Sequence, residues 1–197
     1  MSMTRILTLL FISLIISFTD AQDFDLSTNS ANLEINGKSF SGFESTFPNP
    51  QDKIEKALWK YARTFSKLTN ERTHFQIIIP EELNREVNTD LRLYAQIVPA
   101  RKGSSVLLAM SDDLSSEERQ RFDLQVRRLL LDFKRFFYHE TLKDQIKILE
   151  SSIHSAGERY ESKRQMGLAG EEELSAIANY QDEIALLEGQ IKELLLR

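Results

Sequence analysis

The feature that most constrains this chain is a stretch without proline, running from Ser115 to the C-terminus, that carries two seams of apolar residues. Steps of four and three residues separate the members of each seam. The first seam is Leu142, Ile146, Leu149, Ile153, Ala156 and Tyr160, and the second is Ile177, Tyr180, Ile184, Leu187, Ile191 and Leu194. This spacing is typical of helices that pack together as a coiled coil.

The two seams are mirror images of each other about a turn that contains glycine. Ile146 and Ile191 lie at equal distances along the chain from a point beside Leu168, and so do Tyr160 and Ile177. A single antiparallel hairpin explains this symmetry, because each seam then covers the other. We therefore predict that residues 140–197 form an antiparallel coiled-coil hairpin whose arms are about 35–40 Å long.

A long helix precedes the hairpin and is apolar around most of its circumference. Ser116 and the acidic residues after it are typical of a helix start. The main apolar stripe is Phe122, Val126, Leu129, Leu130, Phe133 and Phe137, which Phe136 and Tyr138 widen. We expect this helix to pack on a sheet and to close the core of a globular head.

The sheet is predicted from short apolar runs that turn residues separate. Asn36-Gly37 predicts a β-hairpin at residues 32–44, because both positions of the turn need a positive φ. Helical spacing predicts an amphipathic helix over residues 50–68. Three further strands are predicted at residues 74–79, 90–98 and 105–110. The order β-β-α-β-β-β with short connections predicts an α+β fold, with a small, largely antiparallel sheet and the helix across one face.

The N-terminus has the three parts of a secretory signal peptide. Arg5 is basic, residues 6–18 are apolar, and Thr19-Asp20-Ala21 places small residues at the cleavage positions. We predict a signal peptide over residues 1–21, a polar linker over 22–31, and a head over 32–139. The apolar run is too short to span a bilayer, which needs about 20 residues. No other apolar run is long enough for a membrane span, so no transmembrane segment is expected after cleavage.

The absence of cysteine limits the classes of exported protein, and the compartments, that fit this chain. With no cysteine in the chain, a disulfide framework is excluded, and so is the acylated cysteine of a bacterial lipoprotein. We expect a protein of the bacterial envelope that is periplasmic or secreted. Export and the net charge of −5 argue against nucleic acid as a partner.

Motifs for catalysis and for metal or cofactor binding are lacking. His139 and His154 lie over 20 Å apart on one predicted helix, at about 1.5 Å per residue, so they cannot share a metal ion, and His74 has no histidine near it in sequence. Neither a Walker loop nor a GxSxG or GxGxxG motif occurs. We therefore expect a non-enzymatic protein with no catalytic residue, no cofactor and no metal site.

Two kinds of surface are candidates for binding. The apolar candidates are Phe136, Phe137, Tyr138, Met166 and Leu168. The aromatic members cover the sheet or form an interface at the root of the hairpin. Met166 and Leu168 form either a contact point at its tip or a plain turn with incidental apolar residues. The basic candidates on the long helix are Arg121, Arg127, Arg128, Lys134 and Arg135. They are either a solvated helix face or a weak contact with the envelope surface or an acidic partner.

Three functions fit this layout. The first is an interaction protein that binds a protein partner, or associates with itself, through residues 140–197. The second is a holdase, because the layout resembles periplasmic chaperones of the Skp/OmpH type, in which helical-hairpin arms extend from a β-rich body. This chain differs from them in its terminal hairpin and acidic net charge. The third is a small-ligand binder or an enzyme with a pocket lined by Trp59, Tyr61, Phe75 and Tyr94, which otherwise belong to the core.

Overall fold

The fold consists of six strands and three helices within the residues that the computed structural model describes, 24–81, 90–111 and 116–196. The side chains of residues 116–118 and 121 lie outside that description. The elements in chain order are β1 (Asn29–Ile35), β2 (Lys38–Phe47), α1 (Gln51–Ala62), β3 (Lys67–Glu71), β4 (His74–Ile79), β5 (Leu91–Ala100), β6 (Gly103–Met110), α2 (Ser116–Gln165) and α3 (Glu171–Leu196). The predicted signal peptide lies outside the described residues.

The six strands form one antiparallel sheet in the order β1-β2-β6-β5-β4-β3. The predicted first hairpin is confirmed, because Asn36 and Gly37 take φ values of 52° and 77° between β1 and β2. The α+β class and the antiparallel sheet are also confirmed. α1 and α2 cover one face of this sheet.

The predicted helix over residues 50–68 is too long, and the strand that follows it was missed. α1 ends at Ala62, where the hydroxyl and amide of Ser66 donate hydrogen bonds to the Ala62 carbonyl at 2.6 and 3.0 Å. Leu68 continues the helical spacing by coincidence and lies in β3, paired with Ile77. The segment KLTNE contains a single apolar residue, so neither an apolar run nor an alternation indicates this edge strand.

The sheet carries apolar residues on both faces. The main core lies between the sheet, α1 and α2, and is built around Phe47, Ile54, Leu93, Val106 and Phe133. The other face holds a smaller cluster of Leu33, Ile35, Phe40 and Ala109, against which Tyr94 and Leu107 pack. Gly42 lets β2 approach β6 closely here, because a Cβ at this position would lie 2.2 Å from the Leu108 carbonyl oxygen.

The segment predicted as a polar linker, residues 22–31, is partly built into the head. β1 already begins at Asn29. Residues 24–28, which we name the N-terminal strap, pack against α2 through Phe24, whose ring lies 5.0 Å from that of Tyr138. Phe24 is buried in the main core and Leu26 packs against it, although this segment was predicted as a polar linker.

α2 is a continuous helix of 50 residues that joins the head to the C-terminal hairpin. Its first half packs on the sheet, and its second half packs against α3 as an antiparallel helical pair. Leu142 and Leu149 of α2 are buried together with Leu187 and Leu194 of α3, in the same cluster as the core of the head. α2 therefore passes the predicted head boundary at residue 139 without a break.

Candidate interaction surfaces

The hairpin turn presents apolar side chains to solvent. Met166, Leu168 and Leu174 are 64%, 57% and 48% exposed, and we name these three residues the arm tip. Both predicted tip residues, Met166 and Leu168, thus lie together at the end of the hairpin. Leu174, on the first turn of α3, joins them and was not predicted, because it stands outside the heptad seam.

The backbone below the arm tip is held by a helix C-cap. Gly167 takes a φ of 71°. The amide of Leu168 donates to the Lys163 carbonyl at 2.9 Å, and the amide of Gly167 donates to the Arg164 carbonyl at 3.0 Å. These two bonds are the Schellman pattern, which satisfies carbonyls at the helix end. The turn is therefore a defined structure and not a loose connection.

Side chains also fix the start of α3 on the end of α2. The Lys163 ammonium lies 2.7 Å from Oε1 of Glu173 and donates to Oε2 at 2.8 Å. This hydrogen bond is the main cause of the lowered pKa of Glu173. Gly170 lies against the Tyr160 ring, where a Cβ would come within 2.4 Å. The arm tip is thus presented on a base that the chain itself orders.

The aromatic candidates lie mainly in the core of the head. Phe137 and Tyr138 are buried, and Phe136 is half-buried. The ring of Phe137 packs on that of Phe47 at 5.4 Å, and the ring of Phe136 packs on that of Tyr61 at 5.3 Å. Phe137 and Tyr138 therefore present no surface to a partner, and their place agrees with the interpretation that they cover the sheet.

The residues of the predicted basic face of α2 differ in their exposure to solvent. Arg127 and Arg128 are exposed, and the guanidinium of Arg127 lies 4.7 Å from the centre of the Phe43 ring. Arg135 is half-buried and donates to Asp132 at 2.9 Å. The side chain of Arg121 lies outside the described residues. The face therefore contributes Arg127 and Arg128 as exposed charges.

Lys134 does not belong to a solvated face, which corrects the prediction for this residue. Its side chain is 0% exposed, and the N-terminal strap covers it. The ammonium lies 3.5 Å from Oδ2 of Asp25 and 3.5 Å from the Ser27 carbonyl oxygen to which it donates. Burial lowers the pKa of Lys134, and Asp25 opposes that effect. Lys134 thus ties the N-terminal strap to α2.

A row of bases on α1 was missed by the sequence analysis. Lys53, Lys56 and Lys60 of α1 and the C-cap residue Arg63 follow steps of three, four and three residues and are all exposed, and we name them the basic stripe. Lys60 donates to Glu140 of α2, and this hydrogen bond raises the pKa of Lys60. The helical spacing of the four bases could have predicted this stripe. The prediction for this helix was based only on its apolar residues, which pack into the core.

α3 carries an excess of acidic charge on its exposed side. Between Glu171 and Leu196 it has seven acidic residues and one base, Lys192. Its exposed acids are Glu171, Glu172, Asp182, Glu188 and Glu193, which project in several directions around the helix. Glu173, by contrast, is buried against Lys163. Within the described residues, α3 packs mainly on α2, so most of its circumference faces solvent.

The four aromatic residues predicted to line a pocket do not come together at one site. Trp59 and Phe75 are in contact, with ring centres 6.0 Å apart, and Tyr61 packs toward α2. Tyr94 lies on the opposite face of the sheet, where its ring is 5.0 Å from that of Phe40. The error arises because Tyr94 alternates out of the main core along β5.

A small cavity of about 10 Å³ lies between the two helices and the sheet. Leu58, Ile77 and Leu130 are among its apolar lining residues. This volume corresponds to about one water molecule, so the cavity cannot hold a substrate-sized ligand. In the described ranges, no three histidines, acids or cysteines come together as metal ligands, and no helix is both long and apolar enough to cross a bilayer.

The arm tip lies at the hairpin turn, next to Glu171 and Glu172 of α3, whereas the basic stripe lies along α1 on the head. Comparison with protein-family models, with curated proteins and with solved structures found no match to this chain.

Proposed function

We propose that this chain is an exported, non-enzymatic interaction protein of the bacterial cell envelope, which binds a protein partner through the arm tip. The observation that carries the proposal is the exposure of Met166, Leu168 and Leu174 at the end of the helical hairpin. Clustered apolar side chains that remain in solvent are typical of a binding surface.

The construction of the turn supports binding by a preformed surface. The C-cap at Gly167 and the ion pair between Lys163 and Glu173 order the backbone on both sides of the arm tip. A partner therefore does not have to order this segment, which lowers the entropic cost of association. Glu171 and Glu172 stand beside the apolar residues and supply the polar rim that interfaces commonly have.

The test compares two variants of the mature chain as bait in envelope extracts. The triple variant M166S/L168S/L174S removes the apolar surface of the arm tip without touching a buried residue. The matched control L124S/L195S removes two side chains that are 70% and 68% exposed elsewhere. We expect one defined set of captured proteins to be lost with the tip variant and kept with the control. Equal capture by both variants, or none by the wild type, contradicts the proposal.

A second candidate function is a holdase chaperone. Its support is that exposed apolar residues also occur along the hairpin, at Ile148 and Leu186, which are 66% and 49% exposed. Such a distribution suits many weak contacts with an unfolded client. The test is light scattering of an unfolded outer-membrane protein at stoichiometric amounts of the mature chain. No suppression of aggregation removes this candidate and leaves the first untouched.

A further inference from the structure

The arm tip contains the one exposed methionine in the described part of the chain. The sequence has no cysteine and four methionines, of which Met1 and Met3 lie in the predicted signal peptide. Met110 lies on β6 in the main core and is 6% exposed, whereas Met166 is 64% exposed. Since the chain has no thiol, no more reactive sulfur group competes with the Met166 thioether for an oxidant dissolved in water.

Oxidation turns methionine from an apolar side chain into a polar one. Hydrogen peroxide transfers one oxygen atom to the thioether, and a lone pair of the sulfur forms the new S–O bond. The O–O bond breaks, and the second oxygen leaves as water after it takes up the proton of the transferred oxygen. The sulfur is oxidised by two electrons and the peroxide is reduced by two. The product, methionine sulfoxide, is polar, and reductases can convert it back.

The structure around Met166 confines the effect of oxidation to the arm tip. Met166 directly follows α2, and its amide donates to the carbonyls of Ser162 and Lys163 at 3.3 and 3.1 Å. These main-chain hydrogen bonds hold the backbone and do not involve the thioether. An oxygen atom added to this exposed side chain meets water and not a packed core, so the helical hairpin should stay folded.

We propose that Met166 is an oxidation switch for the arm tip, which binds its partner in the thioether form and releases it in the sulfoxide form. This inference rests on the proposed function, because it names how binding at the arm tip is regulated. A partner that covers the arm tip has to strip water from the sulfoxide oxygen, and this cost offsets the gain from burying apolar surface. Leu168 and Leu174 do not react with peroxide, so Met166 alone makes the arm tip responsive.

The experiment treats the mature chain with hydrogen peroxide and follows each methionine by mass spectrometry. We expect Met166 to be converted at least about tenfold faster than Met110, because the buried thioether is reached only when the core opens. Circular dichroism should stay unchanged when Met166 is fully converted. Used as bait in envelope extracts, the treated chain should capture about tenfold less of the proteins that the untreated chain captures.

Two variants separate the change at Met166 from damage elsewhere. M166L keeps an apolar side chain that peroxide does not oxidise, so its capture should survive the treatment. M166Q carries a polar group at the same position and should capture weakly without any treatment. Incubation of the oxidised wild type with a methionine sulfoxide reductase should restore its capture.

The outcomes distinguish failure of the switch from failure of the proposed function. Equal conversion of Met110 and Met166 overturns the switch and leaves the proposed function standing, and so does capture that survives full conversion of Met166. Equal losses for treated M166L and treated wild type also overturn the switch, because the damage then lies elsewhere. No capture by the untreated wild type contradicts the proposed function and the switch together.

Discussion

At the scale of single residues, Lys134 holds a charge where the packing around it is apolar. Its ammonium lies 5.5 Å from the centre of the Phe47 ring and is compensated by Asp25 and the Ser27 carbonyl. The sequence does not reveal this burial, because Lys134 stands seven residues after Arg127 and so falls on the same side of the helix. The N-terminal strap covers it, and no pattern in the sequence pairs that segment with α2.

We expect Asp25→Asn to lower the free energy of unfolding by about 1 kcal/mol at neutral pH, because Lys134 then keeps a buried charge with a weaker partner. The expected loss of stability is small because Asp25 is 60% exposed. Lys134→Met should leave stability unchanged or raised, and in its background Asp25→Asn should have almost no effect. Urea denaturation of the four proteins measures this cycle. Equal losses in both backgrounds would show that Asp25 does not act on Lys134.

The same pair has a defined pH dependence. Hydrogen bonding to Ser27, and then Lys134, lower the pKa of Asp25 from its ordinary value of 3.8. A carboxyl with a lowered pKa in the folded state contributes stability above the ordinary value and loses it as the pH falls through the lowered one. The difference between wild type and Asp25→Asn should therefore shrink below pH 3.8. A difference that persists into stronger acid would contradict this assignment.

Two glycines should respond in opposite directions to alanine. Gly42→Ala places a Cβ against the backbone of Leu108 and Ala109, so we expect a loss of about 2–3 kcal/mol. Gly189→Ala meets nothing within 4 Å on α3 and should stabilise the helix by up to about 1 kcal/mol. Thermal or urea unfolding measures both. If Gly42→Ala is neutral, β2 does not approach β6 as described.

At the scale of elements, periodicity predicts the helices and the alternating strands, and fails where an element depends on its neighbours. The clear apolar patterns of β5 and β6 predicted both strands, and the structure confirms them. β3 takes its structure from pairing with β4 and has little signal of its own. The N-terminal strap is held by the Phe24 ring, by Leu26 and by polar contacts that include a bond at 2.9 Å from the Ser45 hydroxyl to the Ser27 carbonyl.

The N-terminal strap should therefore be an energetic part of the head. Phe24→Ala removes a buried ring that packs on Tyr138, and we expect a loss of about 3 kcal/mol. Leu124→Ala is the control, because a side chain that is 70% exposed should change stability by less than about 0.5 kcal/mol. Denaturant unfolding compares the two. Similar small losses would mean that the strap is only loosely attached.

At the scale of the whole molecule, the core does not stop at the head. Leu142, Leu149, Leu187 and Leu194 belong to the same buried cluster as Phe47 and Phe133. The mirror symmetry of the two seams predicted the helical hairpin, and the exposure of its turn followed from that symmetry. The basic stripe could have been predicted from its helical spacing, whereas the burial of Lys134 could not, because the N-terminal strap that covers it is distant in sequence.

This continuity predicts that the head and the hairpin unfold together. Trp59, the single tryptophan, reports on the head through its contact with Phe75. Most of the far-ultraviolet circular dichroism arises from α2 and α3. We expect both signals to give the same midpoint in urea, as cooperative unfolding requires. A circular dichroism transition that precedes the fluorescence transition would show that the hairpin unfolds alone.

The length of α2 has a mechanical consequence. It runs for 50 residues, about 75 Å, and it contains no proline at which to kink. One end packs against the sheet through Phe122 and Phe133, and the other leads into the turn. α2 is therefore one continuous element between the turn and the core of the head, so a displacement of the turn should reach the packing of Phe122 and Phe133 with no proline between them.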